Sequence, residues 1–126
     1  FVFTTINDKI CVLANQRGEG SADFHGYWNA PCGYLDFGET TAEAAIRETY
    51  EEIGIELKKE ELRLLCRYNT EKAIFIIYYI EKNINIEDCK IQTEEVEELR
   101  YFSIDELEKL EKIEGKQWLK ELKSIL

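Results

Sequence analysis

The chain has 126 residues, enough for one domain and too few for two separate cores. Hydrophobic residues make up 44% and charged residues 33%, which suits a globular fold and excludes a chain too polar to collapse. A formal net charge of -10 argues against binding along a nucleic-acid backbone, which needs clustered Lys and Arg, and no apolar run approaches the ~20 residues of a membrane span.

Residues 1–5 and 10–14 read as two strands around the turn Ile6-Asn-Asp-Lys9. Residues 15–29 are polar, carry Gly18, Gly20 and Gly26, and read as a loop whose Phe24, Tyr27 and Trp28 need a surface to pack on. Residues 33–37 read as a short strand. Residues 40–53 read as a helix: Thr40 and Glu43 match a capping box, and Gly54 stands where a helix closes on a left-handed residue. Ala42, Ile46, Thr49 and Ile53 fall in one stripe, the expected buried face. Residues 62–68 and 73–80 read as strands, the second so apolar that it should be central. Residues 99–102 form a shorter strand. Ser103-Ile-Asp-Glu106 then opens a second helix as another capping box. Gly115 punctuates, and residues 116–126 read as a last helix with Trp118, Leu119, Leu122 and Ile125 on one side. This irregular alternation favours the α/β (α+β) class, a mixed sheet with helices packed on its faces in one domain over residues 1–126.

Cys11, Cys32, Cys66 and Cys89 form no CxxC pair, and His25 is the sole histidine, which disfavours a Cys/His zinc site. Isolated thiols point to a reducing, cytoplasmic location; a disulfide is the alternative, but three of the four lie in or beside apolar runs. The chain opens on Phe1 rather than Met, so we expect further residues upstream.

The segment most informative about chemistry is the 40–53 helix. Glu48, Glu51 and Glu52 are related as i, i+3 and i+4, so they share an arc of about 100°. Like charges at this spacing repel by a few tenths of a kcal/mol each. A hard divalent cation, which takes oxygen ligands, resolves the repulsion. Arg47 beside them can fix a carboxylate rotamer. A solvated acidic face is the bland reading of the trio alone.

The wider segment resembles the box of the Nudix family. Gly33, Glu39, Arg47, Glu48, Glu51, Glu52, Gly54 and Ile55 stand at the spacing Gly, five residues, Glu, seven residues, Arg-Glu, aliphatic, any, Glu-Glu, any, Gly, aliphatic. A chance match is on the order of one in 10⁵ from this chain's composition. Two positions depart: Thr49 replaces a usual aliphatic, and Pro31-Cys32-Gly33 replaces Pro-Gly-Gly. Arg17, Trp28-Asn-Ala-Pro31 and the segment 99–107 are similar to the family's flanking parts.

The resemblance implies an α/β/α sandwich and hydrolysis of a phosphoanhydride bond in a nucleoside diphosphate-linked compound, such as a nucleoside triphosphate. It implies magnesium, or manganese in its place, held by Glu48, Glu51, Glu52 and the Cys32 or Gly33 carbonyl. Catalytic roles would fall to Glu48, Glu51 and Arg47, and the base would be either a box glutamate or a carboxylate of the acidic loop 93–98, where Glu95 is the choice by position. Arg17, Trp28 and Tyr78 are the substrate-binding candidates, and Gly33, Glu39 and Gly54 are structural. A homodimer is compatible with this reading. Two other activities stay open: isomerisation of an isoprenoid diphosphate, and nucleotide sensing without turnover. A plain acidic adaptor would leave the box spacing to chance.

Overall fold

The computed structural model describes residues 1–20, 25–91, 94–114 and 117–125. Phe24, read above as an aromatic that needs a surface to pack on, lies outside them, as do Thr93, Gly115, Lys116 and Leu126.

The chain opens with a hairpin of β1 (Val2–Ile6) and β2 (Lys9–Arg17). Asn7 and Asp8 both take positive φ, 49° and 64°, as a two-residue hairpin turn demands. β3 (Trp28–Asn29) follows, then α1 (Thr41–Ile53), β4 (Arg63–Asn69), β5 (Ile74–Glu81) and β6 (Val96–Ser103). Helices α2 (Ile104–Lys109) and α3 (Gln117–Ile125) close it. Among the described residues no helix is long and apolar enough to cross a membrane.

The six strands form one sheet in the order β3-β2-β1-β5-β4, with β6 on β2. β1 and β5 run parallel, Val2 opposite Ile80, and the remaining pairs are antiparallel. β2 is the hub, with β6 along one edge and β1 then β3 along the other. Its alternation sorts the core into two layers. Val12 and Ala14 pack with Phe102, Leu107, Trp118 and Leu122 under α2 and α3. Leu13 packs with Val2, Ile53, Val96 and Leu99 on the α1 side. Helices therefore cover both faces of a mixed sheet.

Several sequence expectations change. Residues 33–37 form no strand; among the described residues they pair with no edge, and their loop is held by Arg47 at the Tyr34 carbonyl and by Glu39 at the Asp36 N–H. The stretch 15–29 is not all loop, because β6 offers a ladder that carries β2 on to Arg17, and Trp28–Asn29 pairs back onto it. Ala42 and Ile46 are only half-buried, whereas Thr49 and Ile53 are buried. β5 does lie inside the sheet, but its first residues, Ile74 and Phe75, are exposed. Ile125 also faces solvent, while Trp118, Leu119 and Leu122 are buried as expected.

Both expected capping boxes are present. Thr40 and Ser103 each accept from the backbone N–H three residues on, and Glu43 and Glu106 reach back to the cap N–H. Gly54 closes α1 with φ 73°, a conformation that would strain any residue with a Cβ. The Thr49 hydroxyl donates to the Ala45 carbonyl at 2.7 Å, which satisfies it inside the core.

Candidate active site

A cleft of about 350 Å³ opens where the end of β2, β3, the 30–36 loop and α1 meet. Its floor carries Asn15 and Arg17, two residues apart on β2 and so on one face of the sheet, with Asn29 paired opposite Asn15. Glu48 and Glu52, one helical turn apart on α1, form a wall, and Cys32, Gly33 and Tyr34 form the rim beside them. Glu95 enters from the loop before β6. That loop is fastened by Gly18 and Gly20, whose N–H groups donate to the carbonyls of Glu95 at 2.9 Å and Glu94 at 2.7 Å.

Arg47 organises the wall without lining the cleft. Its Nε and Nη2 grip both oxygens of Glu39 at 2.8 and 3.0 Å. Its Nη1 donates to Glu48 Oε1 at 2.8 Å and to Glu51 Oε2 at 3.2 Å. Nη2 also takes the Tyr34 carbonyl at 2.9 Å, and Asp36 lies 3.3 Å from Nε. One planar guanidinium thus fixes the rim loop and orients Glu48, a geometry an ammonium cannot supply. The Arg47 hydrogen bond, and then the Asp36 N–H, hold the Glu39 carboxyl below the usual carboxylate range.

Gly33 packs directly against Glu48, and a Cβ there would run into the Glu48 carboxylate. The glycine is therefore needed for close approach. Across the rim, the Cys32 N–H donates to Glu52 Oε2 at 3.2 Å.

The electrostatics are unbalanced. Burial and then the nearby Glu48 push the Glu52 carboxyl up to about 8. Burial also raises Glu48, although Arg47 opposes it, and Glu95 adds negative potential at both. Arg47 is committed to Glu39 and Glu48, and Arg17 only partly offsets the charge at Glu52. Two desolvated carboxylates in one open cleft form a site short of positive charge. Oxygen donors of this kind can hold a hard divalent cation, and adjacent carbonyls are at hand. The Cys32 thiol is not such a donor: burial, then Glu52, pushes it up to about 12, so it stays protonated.

The glutamate trio does not assemble as the spacing suggests. Among the described residues no three His, Cys, Asp or Glu side chains converge so as to hold a metal ion. Glu51 stands apart with its side chain 51% exposed, against 15% for Glu48, and takes only the Arg47 contact. Three residues fall about 60° short of a full turn and four pass it by about 40°, so Glu51 and Glu52 flank Glu48 on opposite sides, and the cleft lies on the Glu52 side.

Two stacking candidates are corrected. Trp28 is buried, packed edge-on to Phe102 at 4.8 Å with Arg100 over its ring, so it is core rather than a platform for a base. Tyr78 does not line the cleft; its hydroxyl shares a 2.6 Å hydrogen bond with Thr41 Oγ1 in the first turn of α1. His25 lies near Glu97, at 3.5 Å. All four cysteines are free.

Sequence reasoning missed Glu114. Its carboxylate takes Arg17 Nη1 at 3.3 Å and Asn29 Nδ2 at 2.5 Å, and so sets two floor residues. Its N–H donates to the Trp28 carbonyl at 3.0 Å, and its own carbonyl accepts from the Trp118 indole at 3.0 Å. Nothing local marks its carboxylate, whose partners lie 85 and 97 residues away. Asn15 was missed too: it is 5% exposed, and its Oδ1 has no hydrogen-bond partner among the described residues.

Comparison with known proteins shows what the chain is similar to. The family model described as the NUDIX domain matches residues 1–122. An uncharacterised Nudix hydrolase of Listeria innocua is 30% identical over 105 residues, covering 82% of this chain and 62% of that protein. The chain thus spans about three fifths of that relative's length. Among solved structures, the NUDIX domain of Shewanella oneidensis NrtR, complexed with ADP ribose, superposes with a TM-score of 0.79 at 18% identity, covering 98% and 82% of the two chains. A MutT NUDIX hydrolase of Burkholderia pseudomallei gives 0.74 at 22% identity, covering 96% of each.

Proposed function

The chain belongs to the NUDIX domain family, and from that premise we propose that it hydrolyses a phosphoanhydride bond in a nucleoside diphosphate-linked compound, such as a nucleoside triphosphate or related nucleotide, with a divalent cation. The observation that carries the proposal is the pair Glu48 and Glu52 facing one cleft. Arg47 takes one oxygen of Glu48, while the hydrogen bond to Glu52 comes from the neutral Cys32 N–H.

Glu48 and Glu52 would hold the cation, magnesium by preference or manganese, with the Cys32 or Gly33 carbonyl completing the set. When bound, the ion offsets phosphate charge and acidifies a coordinated water. The chain's own residues do the rest. Arg47 and Glu39 keep the Glu48 carboxylate in place, and Glu51, held by the same guanidinium, would assist from beside the pair. Glu95, held at the cleft by the Gly18 and Gly20 contacts, is the assigned base that takes the proton of the attacking water. Arg17, anchored by Glu114, places a guanidinium on the floor where it matches phosphate geometry.

Phosphate and pyrophosphate release from a panel of nucleotides, ADP-ribose and an isoprenoid diphosphate, with magnesium, tests the assignment. Wild type should release product from a nucleotide, and Glu52→Gln should reduce turnover at least about a hundredfold, the scale on which a lost electrostatic partner acts. Undiminished turnover in the variant removes the metal assignment. ADP-ribose bound without turnover, or isomerised diphosphate without release, would replace the hydrolase reading.

A further inference from the structure

We propose that Tyr34 is the specificity-determining residue of this cleft, the ring on which an aromatic nucleobase stacks while the diphosphate end lies against Glu48 and Glu52. The inference rests on the hydrolase reading and names the residue that would recognise the base of its nucleotide.

Among the described residues that line the cleft, Tyr34 is the one aromatic. The others are polar, charged or small, and offer no apolar face to a flat heterocycle. The acidic wall cannot grip a base, since its charge serves the phosphate end through a cation. Trp28 and Tyr78, the other candidates, are engaged elsewhere, one in the core and the other with Thr41.

The ring is bare while its backbone is fixed. Tyr34 is 88% exposed. Its carbonyl accepts from Arg47 Nη2 at 2.9 Å, and the preceding Gly33 is pressed against Glu48. Two residues on, the Asp36 N–H donates to Glu39 Oε1 at 3.0 Å. The guanidinium that sets Glu48 therefore also sets the base of the tyrosine. A stacking face and a phosphate site are held in register by one side chain, and little ordering cost remains when a ligand spans them. A bare aromatic ring on a fixed backbone is the arrangement that gains most from being covered.

Base stacking on an aromatic residue is worth roughly five- to 150-fold in affinity by alanine substitution. The test uses two non-hydrolysable probes with magnesium: a methylene-bridged nucleoside triphosphate and methylenediphosphonate, which has no base. Calorimetric titration of wild type, Tyr34→Phe and Tyr34→Ala gives the ratio of the two affinities. That ratio should fall at least about fivefold in Tyr34→Ala and hold within about twofold in Tyr34→Phe. An unchanged ratio in Tyr34→Ala overturns the inference, and so does an equal fall when an alkyl methylenediphosphonate replaces the nucleotide, which would make Tyr34 a general apolar contact. Turnover is read separately. The expected fall in ratio, with neither phosphate nor pyrophosphate released by wild type, keeps Tyr34 and loses the hydrolase reading; turnover with an unchanged ratio does the reverse.

Discussion

Glu52 makes the metal-free protein less stable as pH rises. Its folded carboxyl is raised from 4.5 to about 8, chiefly by burial and then by Glu48. The folded state therefore holds this proton more tightly than the unfolded chain does. Stability falls from about pH 4.5 upward and levels off above about pH 8. At about 1.4 kcal/mol per unit, the full penalty approaches roughly 5 kcal/mol, and water in the open cleft reduces it to about 2–3 kcal/mol. Glu52→Gln removes the penalty and keeps an acceptor for the Cys32 N–H. With chelator present, urea denaturation should find the variant about 2–3 kcal/mol more stable than wild type at pH 9, with under about 1 kcal/mol of difference at pH 5. Millimolar magnesium should then raise wild type and leave the variant nearly unmoved, because only a site that binds the folded state shifts the transition. A wild type as stable as Glu52→Gln at pH 9 without metal would refute the reasoning.

Other perturbations follow from the same contacts. Gly33→Ala should displace the Glu48 carboxylate and weaken manganese binding about 10- to 100-fold by calorimetry, with a thermal transition within a few degrees of wild type. Arg47→Lys loses the paired contacts to Glu39, and kcat/KM should fall about 10- to 100-fold; unchanged kinetics would remove its orienting role. Trp28→Ala should cost about 3–5 kcal/mol in chemical denaturation, as a core aromatic does, rather than acting selectively on nucleotide affinity.

What could be read from the sequence was local. Thr40 with Glu43, Ser103 with Glu106, and Gly54 lie within one turn of the helix ends they define, so spacing alone located them. The i, i+4 relation of Glu48 and Glu52 carried the wall of the cleft. The same arithmetic could not separate Glu51 from the pair, because that depends on where the sheet places the cleft relative to α1. Aromatic residues gave no sign of their surroundings: Trp28 and Tyr34 are six residues apart, yet one is buried and the other bare. Residues 33–37 have strand composition, but a strand needs an open edge, and the Arg47 guanidinium claims the Tyr34 carbonyl instead. Glu114 and its reach to Arg17 and Asn29 depend wholly on topology.

The carboxylate of Glu114 also ties the cleft floor to the last helix. Asn29 and Arg17 come early in the chain, yet the acid that positions them stands 85 and 97 residues later. The main-chain carbonyl of that same residue receives the Trp118 indole at the start of α3. Unseating α3 should therefore loosen a floor that the helix itself does not touch.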